Sequence, residues 1–225
     1  PGFAIAFASE LNALTVLPAF DRAVDPTSVA DFLALSYVPE PRTIFRKVRK
    51  LPAASTLLLS ATGEHLRRYW QLEYSESHSN LPATLEQLDA LSEDSVARRM
   101  LSDVPLGAFL SGGVDSSAIV AYMSRRATNE VKTFSIGFTS EAFDETRYAQ
   151  LIVDRYKTTH QQETVSPNIE EMLDVLVNHF DEPFGDSSAI PTLYLSRMTR
   201  QHVTVALSGD GADEMFGGYR RYRYG

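Results

Sequence analysis

The chain has 225 residues, 44% of them hydrophobic and 22% charged, which is the composition of a globular protein large enough for one substantial core. Its formal net charge of −8 argues against general electrostatic binding to nucleic acid or to an anionic membrane surface. The absence of cysteine excludes disulfides, thiolate-bound zinc and a thiol nucleophile from this chain, and without a signal peptide or an apolar run of roughly 18 residues we expect a soluble, cytoplasmic protein.

The first 72 residues predict four elements. They are a buried strand at 3–8, a short helix at 10–17, a helix at 26–35 and a β-hairpin between 55 and 70. The second helix is expected to start at Asp25-Pro26, because proline fits the first helical turn. The hairpin is expected to turn at Thr62-Gly63, between two apolar runs.

A serine-rich polar stretch that closes at Pro82 predicts a linker at 73–82, which separates a first domain at 1–72 from a second at 83–225. In the second domain, helices are expected at 85–102, 116–127, 144–156, 168–180 and 189–200, and strands at 104–110, 131–138, 160–165 and 203–207. On the first of these helices, the spacing places Leu88, Leu91, Val96 and Met100 on one face. Helices alternating with strands indicate an α/β fold with a parallel sheet, in which ligands bind beyond the carboxyl ends of the strands.

The first motif is residues 111–117, Ser-Gly-Gly-Val-Asp-Ser-Ser, between a predicted strand and a predicted helix. Glycine permits close backbone approach, serine adds hydroxyl donors, and the helix directs its free N–H groups and positive dipole end into the loop. These features favour a phosphate-like anion. The chain has no Gly-Lys pair, so the loop is not a Walker A loop. A glycine-rich turn capped by serines, without a ligand, is the alternative.

The second motif is residues 208–219, Ser-Gly-Asp-Gly-Ala-Asp-Glu-Met-Phe-Gly-Gly-Tyr, and it also follows an apolar strand. Asp210, Asp213 and Glu214 place three acids within a short segment. Such carboxylates repel one another unless a cation neutralises them, and their oxygen atoms suit a hard divalent ion. The motif therefore favours a metal site, with an acidic surface turn before a helix as the alternative.

The first motif resembles the PP-loop of the ATP-pyrophosphatase family, whose members cleave ATP between the α and β phosphates and adenylate a substrate. The second motif resembles that of the asparagine synthetase branch, and residues 181–192 are similar to the segment that contacts the amino-acid substrate there. Residues 8–14 and 41–70 look like the end of that family's N-terminal glutaminase domain. The resemblance implies a parallel-sheet ATP-pyrophosphatase domain of the adenine nucleotide α-hydrolase-like fold, truncated at its C-terminus, with a small glutaminase remnant at 1–72.

The resemblance also implies roles for individual residues. Asp115 and Asp213 are expected to bind Mg²⁺. Asp115, Asp186 and Tyr219 form the implied catalytic set, with Tyr219 helping to close the site. Asp186, Ser188 and Asp210 are expected to contact aspartate, although Asp210 stands where many members have glutamate. The residues expected to contact ATP are Leu110, Ser111, Gly112, Gly113, Asp115, Ser116, Ser117, Ile136, Ser208 and Gly209, with backbone groups of Ile136 facing adenine.

The implied enzyme is an ATP-dependent ligase that adenylates aspartate, releases pyrophosphate and forms asparagine with ammonia from glutamine. One alternative is β-lactam synthetase or another amide-forming relative that activates a different carboxylic acid. A tRNA-thiolating enzyme is disfavoured by the absence of cysteine. A non-catalytic nucleotide-binding module is disfavoured because Asp115 and Asp213 are both present. A homo-oligomer is compatible with the sequence, which does not decide the point.

Two expectations concern groups that this chain lacks. The family's glutaminase domain uses an N-terminal cysteine, so this chain is not expected to hydrolyse glutamine by that route. Its four lysines lie outside both motifs, whereas the family places a phosphate-binding lysine downstream of the second motif. We therefore expect the chain alone to bind Mg·ATP weakly and to turn over poorly.

Overall fold

The structure is a computed structural model of the chain, and it describes residues 5–74, 80–139, 145–166 and 168–223. A short 3-10 helix at Arg220–Arg223 follows the last α-helix. In chain order the helices and strands are α1 (Leu11–Thr15), α2 (Pro26–Leu35), β1 (Ser55–Ser60), β2 (Gly63–Arg68), α3 (Leu81–Arg99), β3 (Leu106–Phe109), α4 (Val114–Arg126), β4 (Lys132–Phe138), α5 (Thr146–Tyr156), β5 (Thr159–Val165), α6 (Ile169–His179), α7 (Ala189–Thr199), β6 (Val205–Leu207) and α8 (Ala212–Phe216).

These elements form two compact units. The first comprises Pro1–Ser77 and Asn168–Ala189, and the second comprises His78–Pro167 and Ile190–Gly225. The first unit is therefore not continuous in the sequence, because Asn168–Ala189 belongs to it although the second unit begins at His78. The domain boundaries at 72 and 83 remain a prediction.

The first unit contains α1, α2, the β1–β2 hairpin and α6. Helix α2 begins where the sequence predicts, since the Asp25 side chain accepts a hydrogen bond from the Thr27 amide at 3.0 Å. Strands β1 and β2 pair in antiparallel register, with Ser60 opposite Gly63 at the turn. The predicted hairpin is therefore confirmed.

Two acidic residues attach the returning segment to the rest of the first unit. The carboxylate of Asp181 accepts hydrogen bonds from the amides of Leu11 and Asn12 at the start of α1. Glu182 accepts a hydrogen bond from the Ile44 amide at 3.0 Å and forms an ion pair with Lys50. These two carboxylates thus join the returning segment to residues that are far away in the sequence but lie in the same unit.

The predicted strand at 3–8 is wrong for the part that the structure describes. Residues 5–8 have irregular backbone, and Ile5 and Phe7 are 51% and 92% exposed. A strand needs a neighbour for its backbone hydrogen bonds, and none of the described strands pairs with these residues. Residues 3 and 4 lie outside the described ranges.

The second unit is built on a four-stranded parallel sheet in the order β5-β4-β3-β6. The chain moves from β3 to β4 and β5 on one side, and then places β6 on the other side of β3. This reversal creates a topological switch point between the carboxyl ends of β3 and β6, the position where open α/β sheets bind ligands. The predicted α/β fold with a parallel sheet is confirmed.

The main core of the second unit lies between the sheet and the helices that cover it. Val96 of α3 packs with Leu110, Val120 and Met123. A second cluster contains Phe134, Met198 and Val203. Across the described residues, the helices are too short or too polar to cross a membrane.

The apolar face predicted for α3 is only partly correct. Val96 is buried, but Leu88 and Leu91 are 37% and 61% exposed. The side of α3 that meets α4 instead carries Asp89 and Glu93, which form ion pairs with arginines of α4. Leu88 and Leu91 therefore contribute less to the core than the spacing predicts.

Candidate functional site

The two glycine-rich motifs follow neighbouring strands. Strand β3 ends at Phe109 just before the first motif, and β6 ends at Leu207 just before the second. The two strands pair in parallel, with Leu106 opposite Val205. Both loops therefore leave the sheet at the same edge, at the switch point.

Gly209 brings the motifs into direct contact. A Cβ atom added to Gly209 would lie 2.9 Å from the Cβ and carbonyl carbon of Asp115, and 2.9 Å from the Ser116 nitrogen. Carbon atoms do not approach so closely, so only glycine lets the second motif lie on the first turn of α4. The predicted nucleotide-binding residues of both motifs are thus brought together.

Hydroxyl groups shape the first loop from within. The Ser111 and Ser116 hydroxyl oxygens are 2.9 Å apart, and the Gly113 amide donates to Ser111 Oγ at 3.2 Å. Gly112 has φ of +84°, and its Cα faces the backbone of Tyr148 and Ala149 in α5 without room for a side chain. The loop is therefore held both by its own serines and by the first turn of α5.

The start of α4 offers unpaired donors to an anion. Gly113 is the N-cap without a side-chain hydrogen bond, and the Ser117 amide makes the first helical bond, to the Gly113 carbonyl at 3.0 Å. The three preceding amides of the helix have no acceptor within it. Ser117 Oγ is buried and has no hydrogen-bond partner among the described residues. Free amides and the positive end of the helix dipole suit a phosphate group.

The three acids of the second motif have different surroundings. The Ser208 hydroxyl donates to Asp210 Oδ2 at 2.9 Å, and the Tyr219 hydroxyl donates to Glu214 Oε1 at 2.7 Å. The carboxylate of Asp213 forms no hydrogen bond or ion pair within the described residues. Asp213 is therefore the acid left available to a cation.

The Tyr219–Glu214 hydrogen bond shifts the pKa of both side chains. It raises the pKa of Tyr219 to about 12 and lowers the pKa of Glu214 below its usual value. At neutral pH Tyr219 is therefore a neutral phenol, and Glu214 is an ionised acceptor. A phenol of this kind can donate a hydrogen bond but cannot act as a general base.

The residues predicted to bind Mg²⁺ suit that ion. Asp115 lies in the first turn of α4, and its neighbour Gly209 belongs to the same motif as Asp213. No cluster of three or more acidic, histidine or cysteine ligands occurs in the described part of the chain. Mg²⁺ is commonly held by one or two carboxylates, with phosphate oxygens and water completing its shell. Two aspartates on the two segments that meet at Gly209 are therefore chemically compatible with Mg²⁺.

Leu110 and Ile136 differ in what they can offer a nucleotide. The Leu110 side chain is only 1% exposed, and its amide donates to the Phe134 carbonyl at 2.8 Å. Only its carbonyl group could face a ligand. Backbone groups alternate in direction along a strand, so those of Ile136 point to the same side as those of Phe134. Strand β3 has already ended there, so these groups of Ile136 lie beyond the last pair of β3 and β4, Phe109 and Phe134.

Asp186 and Ser188 lie in the first unit, so the structure does not group them with the nucleotide-binding residues. The Ser188 amide donates to Asp186 Oδ1 at 2.8 Å. Hydrogen bonds from the backbone and side chain of Ser188 lower the pKa of Asp186. The lowered pKa favours the ionised form of Asp186.

Three features of the site lie outside what the sequence motifs indicate. Tyr148 packs on Gly112, although nothing in the sequence around α5 marks it as a partner of the loop. Glu214 is paired with Tyr219 rather than left for a metal ion. Arg221 lies over the Tyr219 ring, 4.5 Å from its centroid. In the sequence, only the Gly217-Gly218 pair, at which the chain folds back, indicates that Tyr219 could contact Glu214 and Arg221.

Comparison with known proteins assigns both parts of the chain. A family model described as asparagine synthase matches residues 87–225, and one described as a glutamine amidotransferase domain matches residues 1–70. Among solved structures, the NH3-dependent NAD synthetase from Campylobacter jejuni aligns over 60% of each chain, with 13% identity and a TM-score of 0.39, a likeness too weak to carry an inference.

Three relatives illustrate the similarity. A Methanocaldococcus jannaschii protein, provisionally named glutamine-hydrolyzing asparagine synthetase 2, is 38% identical over 97% of this chain and 44% of its own length. Glutamine-hydrolyzing asparagine synthetase 1 of Bacillus subtilis is 35% identical over 96% of this chain and 34% of its own. Asparagine synthetase B of Escherichia coli is 30% identical over 78% and 34%. The chain thus spans less than half the length of each of these relatives, and it belongs to the asparagine synthase family.

Proposed function

We propose that this chain carries the ATP-binding and adenylating site of a ligase that joins ammonia to the side-chain carboxylate of aspartate. The observation that carries the proposal is the contact of Gly209 with Asp115 and Ser116, at the switch point between β3 and β6. The proposal is supported by this contact because it puts the glycine- and serine-rich loop at 111–117 beside the acidic motif at 208–219. Membership of the asparagine synthase family supports the same reaction class.

The nucleotide would lie across the carboxyl ends of β3, β4 and β6. The free amides at the start of α4 would bind the pyrophosphate portion of ATP. Backbone groups of Ile136 would bind adenine, and Ser208 and Gly209 would contact the AMP portion. Asp115 and Asp213 would hold Mg²⁺, which when bound neutralises phosphate charge and orients the leaving pyrophosphate.

The reaction would proceed in two displacements. A carboxylate oxygen of aspartate attacks the α-phosphorus of ATP, and the bond to the β-phosphate oxygen breaks to release pyrophosphate. Ammonia then attacks the carbonyl carbon of β-aspartyl-AMP, loses a proton and displaces AMP. The helix α4 amides stabilise the negative charge that gathers on the departing pyrophosphate, and the loop keeps the reacting atoms in line.

Asp186, Ser188 and Asp210 stay the residues that the sequence predicts to contact the amino acid. Ionised carboxylates suit the α-ammonium group of aspartate, because such charge-assisted hydrogen bonds are the stronger kind. The Ser188 hydroxyl would add a neutral contact. Tyr219 would donate a hydrogen bond or exclude water, since its raised pKa prevents it from acting as a base.

Ammonia would come from glutamine, as the names of the relatives and the match of residues 1–70 to a glutamine amidotransferase domain suggest. This chain has no cysteine, so the test supplies ammonium directly. We expect the partners to be small molecules in the cytoplasm rather than nucleic acid.

The test is pyrophosphate release from Mg·ATP in a single turnover, with the full chain in excess over ATP and with aspartate and ammonium present, compared with Asp115→Ala. Release that needs aspartate and disappears in the variant supports aspartate adenylation. Release with another carboxylic acid, but not with aspartate, would move the chain to a different amide-forming ligase. ATP binding without release under any condition would favour a nucleotide-binding module.

A further inference from the structure

Glu214, Tyr219 and Arg221 form a contact cluster just beyond the second motif's acids. Tyr219 donates its hydroxyl hydrogen to Glu214 Oε1 at 2.7 Å. The Arg221 guanidinium lies 4.5 Å from the Tyr219 ring centroid and 5.7 Å from that of Tyr222. Neither Glu214 nor Arg221 forms an ion pair with any other described residue. Glu214 and Arg221 therefore both contact Tyr219, and Arg221 also lies near Tyr222.

The segment between Glu214 and Tyr219 folds back over Asp213. Helix α8 ends at Phe216, and its C-cap Gly217 has φ of +67°, which turns the chain. The Gly218 amide then donates to the Asp213 carbonyl at 3.0 Å. A Cβ atom at Gly218 would lie 3.0 Å from Asp213 Cγ and would overlap its Oδ1. The Gly218 backbone therefore packs directly against the Asp213 carboxylate.

We propose that Glu214, Tyr219 and Arg221 act as a latch that closes the Gly217-Gly218 turn on Asp213 and so fixes the carboxylate that would hold Mg²⁺. This inference rests on the proposed function, and it makes Glu214 a positioning residue. The hydrogen bond joins the helix to the chain beyond the turn. Arg221 covers the outer face of the Tyr219 ring and keeps it in place.

The latch would stabilise α8, which has only five residues. A helix that short is unstable on its own, so its carboxylates would otherwise sample many positions. Fixing Asp213 before the ion arrives avoids the cost of ordering it during binding. Partners that orient a metal ligand without touching the metal are commonly needed for full metal affinity.

The test compares Tyr219→Phe with Tyr222→Phe in the full chain. Tyr219→Phe removes only the hydroxyl group, and the ring remains for Arg221. Tyr222→Phe is the matched control, since Tyr222 lies in the short helix at Arg220–Arg223 that also carries Arg221, and its hydroxyl has no hydrogen-bond partner among the described residues. Mn²⁺, detected by its electron paramagnetic resonance signal, reports metal binding with ATP present, and the affinity for metal-free ATP is measured separately.

We expect Tyr219→Phe to weaken Mn²⁺ binding about tenfold and to leave metal-free ATP binding unchanged. Amide hydrogen exchange at Gly218 should become about fivefold faster, because the turn loses its hydrogen-bonded closure. Glu214→Gln, which keeps an acceptor oxygen, should lose less affinity than Glu214→Leu. Tyr222→Phe should match the unaltered chain in every measurement.

Equal Mn²⁺ affinity and equal Gly218 exchange in the two tyrosine variants would overturn the latch. Asp213→Asn separates this failure from a failure of the proposed function. If Asp213→Asn loses Mn²⁺ and Tyr219→Phe does not, the latch alone is wrong. If Asp213→Asn also keeps Mn²⁺, the proposed metal role of Asp213 fails, and the latch fails with it.

Discussion

Gly209 lies so close to Asp115 that a methyl group on the glycine would come within 2.9 Å of the aspartate Cβ atom. This contact joins two loops that are far apart in the sequence and follow adjacent parallel strands. The loop with the predicted phosphate-binding residues and the motif that contains the predicted metal ligand Asp213 meet there. The site therefore depends on the absence of a side chain at Gly209.

Gly209→Ala is expected to lower the free energy of unfolding by about 1–3 kcal/mol, because the added methyl group meets backbone atoms that cannot rotate away. Gly113→Ala is the matched control, since its Cβ atom would meet only Ser111 Oγ, at 3.4 Å. Gly113→Ala should lower the free energy of unfolding by less than about 1 kcal/mol. Alanine is a poorer N-cap than glycine, but it also reduces the entropy of the unfolded chain, and these two effects oppose each other. Urea unfolding followed by circular dichroism measures both. Equal stability of the two variants would contradict close packing of the motifs.

Asp115→Asn should keep the fold and lose metal-dependent nucleotide binding. Asp115 forms no ion pair within the described residues, so removal of its charge breaks no structural contact. We expect the affinity for Mg·ATP to fall at least about tenfold, as for the loss of a metal ligand or its support. Calorimetric titration with and without Mg²⁺ measures this loss. Asp103→Asn, an exposed acid on the approach to β3, should behave as the unaltered chain does.

Local patterns predict the site's framework well. The strand, glycine loop and helix around Asp115 follow from apolar runs and turn residues, and so does the start of α2 at Asp25-Pro26. These features depend on neighbours in the sequence. A sequence pattern cannot tell which surfaces will meet. For this reason the spacing predicts Leu91 on the core face of α3, whereas the structure exposes it.

Other features depend on the folded chain as a whole. The return of residues 168–189 to the first unit rests on Asp181 and Glu182 binding distant backbone amides. The pairing of Tyr219 with Glu214 depends on the turn geometry at Gly217. Neither follows from periodicity or motif spacing, because both require knowing where the backbone reverses direction.

His160 is expected to make stability depend on pH. Its ring nitrogens lie 2.9 Å from Thr133 Oγ1 and 3.0 Å from Ser135 Oγ, and burial lowers its pKa below the ordinary 6.5. The unfolded chain therefore binds a proton at a higher pH than the folded chain does. This contribution to the free energy of unfolding is complete above pH 6.5 and is lost as pH falls toward the folded-state pKa.

The check for His160 is the urea midpoint at about pH 7.5 and about pH 5.5, on either side of the ordinary histidine pKa. His160→Gln keeps polar groups near Thr133 but cannot take up a proton in this range. Its midpoint should fall less on acidification than that of the unaltered chain. Equal falls in the two proteins would show that His160 does not contribute.

Lys50 and Lys47 should differ in their value to the first unit. Lys50 pairs with Glu182, whose side chain is only 17% exposed, and donates to the Val38 carbonyl at 2.7 Å. Lys50→Ala should cost about 1–2 kcal/mol, because it leaves a largely buried carboxylate without its cation. Lys47→Ala removes an exposed pair with Asp21 and should cost less than about 0.5 kcal/mol.

The fluorescence of Trp70, the chain's single tryptophan, follows unfolding of the first unit and measures both lysine variants in urea. A larger loss in Lys47→Ala than in Lys50→Ala would contradict the assigned role of the Glu182 pair. Such a result would also weaken the account of how the returning segment is held.

The most direct test of the central claim uses aspartate labelled with ¹⁸O in its side-chain carboxylate, with Mg·ATP and ammonium, at enough chain for a single turnover. Attack on the α-phosphorus requires one labelled oxygen to leave with AMP when ammonia displaces it. We therefore predict AMP carrying one ¹⁸O atom, found by mass spectrometry, together with asparagine. Label in orthophosphate alongside ADP, or unlabelled AMP, would contradict adenylation of aspartate at this site.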